Sequence, residues 1–372
     1  MKKIAIIGAG ISGLFFANLL NKNSDYDFTI FEKKISLNLD DGYGIQLSVN
    51  SIKLLNQIGF NEIDKNKIYN PKKIFFINAQ DNKKICDFEI SKFNYDKNQY
   101  TTLKRSTLLK FLLEKISKNK IKFSTDLKNI SYGNKLILHF DKNYVEEFDY
   151  LIVSDGVFSN TKSIILKKDC KPKYFNSLAL RANIVDYQSK DISLYFGPNF
   201  HFVIYPVSQN KEFNFISIMK KELLDINTYT DQDFLQLTAE ELYKKTKINL
   251  NGKLTNIKSF PVYVSDKIEI SKNKNIYFLG DALFALPPSF AQGASQSIES
   301  SKELYEQMEN NGSNYYEKRT KKLNSINWRS RLNYFSFHLS NPVFSLFRNS
   351  ILKFLVKNNN FLENYLGKIY KD

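Results

Sequence analysis

The chain of 372 residues is predicted to fold as an α/β protein of two lobes, a nucleotide-binding lobe of parallel sheet and helix into which a mixed, mainly antiparallel lobe is inserted, with a helical segment at the C-terminal end. Three observations predict this. Residues 1–32 run strand, glycine turn, helix, strand. Residues from Ser177 to about Pro261 carry the alternation of antiparallel strands, and everything after Gln292 is helix-like. The length exceeds what a single hydrophobic core usually organises.

Ile4-Ala5-Ile6-Ile7 is a short, continuously apolar run, which suits a parallel strand buried on both faces. After the glycines, Ile11 to Leu20 has helical apolar spacing and Asp27 to Glu32 reads as a second strand. Together they make a β-α-β unit, half of a Rossmann-type domain. Residues 72–100 alternate polar and apolar around Asp81-Asn82 as a hairpin would, and Ser106 to Ile116 returns to helical spacing. Strand signals recur at Lys135–His139 and Tyr150–Val153, then at Leu194–Phe196 and Phe202–Pro206, with a helical stretch near Asp231 to Lys245. Ile276–Leu279 is again a buried-type strand. The expected division is a discontinuous nucleotide-binding domain of 1–70, 101–165 and 262–315, a substrate domain of 71–100 and 166–261, and a C-terminal helical segment of 316–372.

The formal charge of +16 is diffuse and nearly all lysine, arginine being confined to Arg105, Arg181, Arg319, Arg329, Arg331 and Arg348. Nucleic-acid readout relies on clustered arginine, so nucleic acid is not expected as a partner. A solvated lysine surface, steering of an anionic substrate, or attraction to an acidic membrane accounts for the charge. Cys86 and Cys170 build no disulfide framework and have no metal-ligand spacing, so no metal is expected and a reducing cytoplasm fits. Met1-Lys2-Lys3 runs straight into the first strand without a cleavage site, and no run of eighteen uncharged apolar residues follows.

Gly8-Ala9-Gly10-Ile11-Ser12-Gly13 is a G-x-G-x-x-G between a strand and a helix. Gly8 permits the tight turn, Gly10 lets backbone approach a pyrophosphate, and Gly13 lets helix and sheet pack closely, while the helix N-terminus supplies N–H donors near Ser12. Glu32, nineteen residues after Gly13 and followed by Lys33, ends the second strand where a carboxylate accepts ribose hydroxyls. The motif alone does not separate FAD from NAD.

Asp149–Ser159, containing Asp155-Gly156, and Gly280-Asp281-Ala282 through Pro287-Pro288 to Gln292-Gly293-Ala294 follow in order. With Gly42–Leu47, Arg105–Leu108, Tyr205-Pro206 and His338–Pro342, they resemble the single-component, PHBH-like (class A) FAD-dependent aromatic monooxygenases, in particular the salicylate-hydroxylase-type branch. The resemblance spans most of the chain. It implies FAD held by Gly8, Gly10, Ser12, Gly13, Glu32, Lys33, Gly44, Arg105, Leu127, Asp155, Gly156, Asp281, Gly293 and Ala294, with Pro288 shaping a wall at the isoalloxazine. It further implies NADH or NADPH as a transient reductant, since there is a single G-x-G-x-x-G, and hydroxylation of a small aromatic substrate by O2 through a flavin C4a-hydroperoxide. Three positions depart from the pattern: Phe284 where many members have His, Ala291 where most have Gly, and Lys162 where Arg is usual. Phe284 puts in doubt any proton relay at that position.

For the substrate pocket the candidates are Arg181, His201 and Tyr205, with Phe202 beside them and Gln46 approaching from the other lobe. A lone histidine on a strand is more often simply hydrogen-bonded or exposed than catalytic, and a tyrosine is more often a satisfied buried aromatic. Hydroxylation of a prenylated quinone precursor at a membrane face, and a non-catalytic flavoprotein sensor, are the alternative functions. The stretch Val343 to Leu355, with Lys353 and Lys357, suits peripheral membrane contact or a helix packed on the body. The choice between monomer and homodimer stays open.

Overall fold

The structure, a computed structural model, describes residues 1–37, 39, 43–250, 252–310, 312 and 314–371. Gly42 of the Gly42–Leu47 run lies outside the described residues. The first half of the chain supplies β1 (Lys2–Ile7), α1 (Ile11–Leu20), β2 (Tyr26–Phe31), β3 (Gly44–Leu47), α2 (Val49–Asn56), β4 (Ile68–Tyr69), β5 (Lys73–Asn78), β6 (Lys84–Glu89), β7 (Thr101–Lys104) and α3 (Arg105–Glu114). There follow β8 (Ile121–Lys122), β9 (Leu127–Tyr132), β10 (Leu136–Phe140), β11 (Val145–Phe148), β12 (Tyr150–Val153) and α4 (Asn160–Leu166). The second half supplies β13 (Lys173–Ile184), β14 (Ile192–Gly197), β15 (Phe200–Pro206), β16 (Phe213–Lys220), α5 (Gln232–Lys244), β17 (Leu254–Val264) and β18 (Ile276–Phe278). Four helices close the account: α6 (Gly280–Leu283), α7 (Gly293–Glu309), α8 (Tyr315–Phe337) and α9 (Pro342–Leu355), ahead of short helical turns over 359–370.

The α/β fold read from the sequence is present. A five-stranded sheet in the order β18-β12-β1-β2-β8 is parallel throughout. Ile4 to Ile7 lie buried in its centre, which is why that run needs no polar alternation. Every residue of α1 except Ile11 is buried, because the helix is covered by α7 and α3 as well as by the sheet. The strand at 135–139 belongs elsewhere: β10 is the middle of a separate antiparallel sheet, β11-β10-β9. The hairpin over 72–100 closes earlier than expected, at Glu89, and β7 pairs with β3 and β4 in a small third sheet.

A seven-stranded sheet in the order β17-β13-β16-β15-β14-β5-β6 forms the second lobe, antiparallel except where β14 runs parallel to β5. Side chains alternate across it with period two. Phe200, Phe202 and Ile204 face α5 and join one apolar cluster; Val203 and Tyr205 point the other way, toward the first lobe and the turns over 359–370. α8 is fastened to α7 through fully buried Arg319, which donates to Gln296 Oε1 (2.6 Å) and Glu303 Oε1 (3.2 Å). That guanidinium is tolerable in the interior because carboxylates and an amide answer it.

Candidate active site

Three parallel strands deliver the site's backbone. Gly8 follows β1, Ser154-Asp155-Gly156 follows β12 and Gly280-Asp281 follows β18, all at the carboxyl edge where open α/β sheets bind ligands. Gly8 has φ +100°, and a Cβ there would stand 2.6 Å from Ser154 O. A Cβ on Gly13 would meet Gly8 O at 2.2 Å and Ser154 Oγ at 2.6 Å. The Ser154 hydroxyl is itself engaged, donating to Ile7 O (2.9 Å) and Gly8 O (3.1 Å). Gly10 differs: its φ of −81° suits any residue and its Cβ would find nothing nearer than Ser154 O at 3.9 Å. Packing requires Gly8 and Gly13, whereas Gly10 is left small on the open side of the turn.

Glu32 is buried, and its carboxylate accepts the N–H of Ala9 (3.0 Å) and of Lys34 (3.0 Å), so it braces the glycine turn and keeps acceptor capacity in hand. Lys33 beside it is exposed. Ser124 and Thr125, just ahead of buried Leu127 at the start of β9, hydrogen-bond to the backbone of Lys34 and Glu32. Ser12 is buried against Gly280, whose Cβ would lie 2.7 Å from its Oγ. Asp281 sits deep among protein atoms yet opens onto the cleft; burial raises its carboxyl to about 6, against the opposing pull of Arg105 at the start of α3. Burial also raises Asp155, and its Oδ1 is buried with no hydrogen-bond partner.

These residues fit a dinucleotide such as FAD. Both α1 and α7 begin without a side-chain cap, leaving first-turn N–H groups at Gly10–Gly13 and Gly293-Ala294 for a ligand or water. Gly156 and Gly293 have no atom within 4 Å of where a Cβ would stand. Gly44 has a different explanation: its N–H donates to Asn214 Oδ1 (2.6 Å) and a Cβ would strike Asn214 and Val207, so its smallness serves contact between the lobes.

The departures from the family pattern are each explained by position. Ala291, after the half-buried turn at Pro288–Phe290, has φ +51° and ψ +35°, the left-handed conformation that glycine adopts without cost. Phe284 is buried in the core of the first lobe. Lys162 is buried, its ammonium directed at Leu283 O (3.4 Å) and over the Phe278 ring, and burial lowers its pKa. α8 clamps the proline turn through Ser330 Oγ to Pro287 O (2.7 Å) and Asn333 Nδ2 to Ser289 O (3.1 Å).

On the sheet of the second lobe, Arg181, Ile216 and Val203 share one register row, and all three stay half-exposed in the middle of a sheet whose neighbouring rows are buried. They form an open floor. Arg181 lies over the Phe260 ring (5.9 Å), is paired in register with Lys258, and among the described residues makes no ion pair. Burial lowers its pKa while the neighbouring Tyr205 and Tyr43 hydroxyls raise it. Tyr205 occupies the next row on that face; burial raises its phenol, against the opposing pulls of Arg181 and Gln46. Gln46 Oε1 accepts the Tyr100 hydroxyl (2.7 Å), which leaves the Gln46 amide N–H groups as donors. The Tyr100 ring packs 5.8 Å from that of Tyr370, which comes from the C-terminal turns.

His201 is placed differently from its expected role. Its Nδ1 is 2.7 Å from His338 Nε2, both rings are buried, and burial depresses both pKa values, His338 to about 3. The pair is neutral and packed against Phe337, buried one same-face row along from Val203 of the open floor. Sequence reasoning missed Tyr100, Tyr370, Lys258 and Phe260. Register alone exposes the last two once β17 is paired with β13; no local signal marks Tyr370, which arrives with the final helical turn.

Residues 6–38 match the model of the NAD(P)-binding Rossmann-like domain family. The chain is 24% identical over 314 residues to 6-hydroxynicotinate 3-monooxygenase of Pseudomonas fluorescens, covering 80% of each. Its fold superposes with a TM-score of 0.83 on Klebsiella pneumoniae HpxO complexed with FAD and uric acid, at 15% identity over 95% of this chain and 92% of that one. A salicylate hydroxylase substrate complex matches with a TM-score of 0.77, at 16% identity over 100% of this chain and 95% of that one. The structural likenesses establish the fold, and the sequence relative, with the ordered glycine, Asp155-Gly156 and Gly280-Asp281 segments at one cleft, makes the chain similar to FAD-dependent aromatic monooxygenases.

Proposed function

We propose that this chain is an NAD(P)H-consuming FAD monooxygenase that hydroxylates a small aromatic or heteroaromatic ring carrying an acidic or strongly accepting substituent. The observation that carries the substrate class is the open floor with a guanidinium, Arg181, that among the described residues makes no ion pair, beside the hydroxyl of Tyr205. Bound FAD, reduced by NADH or NADPH and reoxidised by O2, supplies the oxygen-transfer chemistry.

The chain's own residues bind, orient and exclude water. Gly8 to Gly13 and the start of α1 offer N–H donors to the pyrophosphate, Glu32 accepts from the adenosine ribose, and Asp281 and Asp155 accept from the remaining polar chain. The uncapped start of α7 offers donors and a positive dipole end to the cofactor edge that becomes electron-rich on reduction. Arg181 and Tyr205 hold the accepting group of the ring, with Gln46, fixed by Tyr100, beside Tyr205. Val203, Ile216 and Phe260 give that ring apolar walls. Free Cys86 and Cys170 support a cytoplasmic setting.

The test is the absorbance spectrum of the purified protein, followed by NADH and NADPH oxidation across hydroxypyridine, salicylate-like and nitrophenol rings together with their neutral counterparts. Bound flavin, oxidation stimulated by the acidic members and a hydroxylated product are expected. Flavin binding with equal response to neutral rings overturns the substrate class, and no flavin after reconstitution overturns the enzyme.

A further inference from the structure

The helix α9 is turned inside out. Successive residues of a helix stand 100° apart, and the face of α9 toward the body carries Ser345, Arg348, Asn349, Leu352 and Leu355, none of them exposed. Arg348 donates to Ser336 O (3.1 Å) and lies over the Phe196 ring (4.6 Å). Solvent meets Val343, Phe344, Leu346, Phe347, Ile351 and Phe354, all more than half exposed and Phe354 as much as 69%. Leaving six large apolar side chains in water on one helix, with Arg348 and Asn349 turned toward the body, is the reverse of what folding alone selects.

Charge decides what covers this face. Residues 318–362 contain no aspartate or glutamate, while Arg331, Lys353 and Lys357 are exposed along that stretch and the whole chain carries +16. Lys353 and Lys357, one turn apart, flank the apolar stripe. In a two-fold contact between copies the same cations would meet each other with no carboxylate in the segment to answer them. A surface offering hydrocarbon to the phenylalanines and anionic headgroups to the lysines matches both halves of the pattern. No helix among the described residues is long and apolar enough to cross a membrane.

We propose that α9 is a peripheral docking helix for anionic lipid bilayers, lying in the interface with Phe344, Phe347, Ile351 and Phe354 in the acyl region and Lys353 and Lys357 at the headgroups. This concerns where the enzyme sits and does not depend on which ring it hydroxylates. The flavin-loaded full chain is sedimented with vesicles of phosphatidylcholine alone and with about one-third phosphatidylglycerol. Binding to the anionic vesicles only, weakened by salt, is expected. Roughly tenfold or greater loss is expected in F344S/F347S/I351S and a clear loss in K353E/K357E, with flavin content unchanged in both. Absence of binding to anionic vesicles, or variants that bind like the parent, overturns the proposal. A concentration-dependent dimer in sedimentation velocity that F344S/F347S/I351S converts to monomer also overturns it, and assigns the face to a second copy.

Discussion

Two alanine substitutions three residues apart in the glycine turn are expected to fail in opposite ways. In Gly13→Ala the new Cβ would sit 2.2 Å from Gly8 O and 2.6 Å from Ser154 Oγ. Ordinary C···O approaches are about 3.3 Å, so α1 must move about 1 Å off the turn. Neither neighbour yields easily, since one is backbone and the other is held by hydrogen bonds to Ile7 O and Gly8 O. Overpacking of this kind costs about 3 kcal/mol, and the loss is present in the apoprotein. In Gly10→Ala the Cβ meets nothing nearer than 3.9 Å and φ is already −81°, so the apoprotein keeps its stability or gains about 0.5 kcal/mol from a stiffer unfolded chain. The methyl instead occupies the space left for the pyrophosphate, and FAD affinity falls by about ten- to hundredfold, about 1.4–2.8 kcal/mol. Urea midpoints of flavin-stripped protein and quenching of FAD fluorescence on titration separate the two effects. If Gly10→Ala binds FAD as tightly as the parent, the cofactor does not lie over this turn and the reasoning fails. An unshifted midpoint for Gly13→Ala would refute the packing half.

Three further outcomes follow from the same geometry. Arg181→Met and Tyr205→Phe should each raise KM for an acidic ring about ten- to hundredfold, the worth of a charge-assisted hydrogen bond, with little change in NAD(P)H oxidation lacking substrate; equal loss on neutral rings would contradict the assignment. Ala291→Gly should relieve a left-handed alanine and stabilise the protein by about 1 kcal/mol, read as a higher urea midpoint. The His201–His338 pair has folded-state pKa values below the ordinary 6.5, so the unfolded chain takes up protons first. Its contribution is complete above about pH 6.5 and is lost as pH falls toward about 3, so H201L/H338L should flatten the acid limb of stability, and an unchanged limb would count against it.

Much of the first lobe was legible because its signals are local. Gly8 to Gly13 and Glu32 fall within one β-α-β unit, where spacing and conformation constrain each other over a few residues. Asp155 and Asp281 carry no such local mark; they became readable through the resemblance, and physically they matter because β12 and β18 bring them beside β1. Arg181, Tyr205 and Gln46 could be named as candidates, but not Tyr100, which bonds to Gln46, nor Tyr370 packed beside it, because they come from distant segments. His201 misled because its partner, His338, lies 137 residues away and turns a titratable ring into a neutral packing unit. The apolar spacing of α9 was plain, yet which side of it meets the body is decided by Arg348 reaching Ser336 O and the Phe196 ring, with Asn349 accepting from Arg348 beside it.

The distribution of the site along the chain also sets an order of assembly during synthesis. Gly8 is made before Asp281 and the start of α7, which need residue 294 to be complete, and Tyr370, which packs edge-on against Phe93 and beside Tyr100, is made later still. At about 5–20 residues per second the remaining stretch occupies on the order of ten seconds. During that interval the dinucleotide cradle exists while the far wall of the substrate chamber does not. The turn carrying Tyr370 is thus placed after every segment of the dinucleotide cradle.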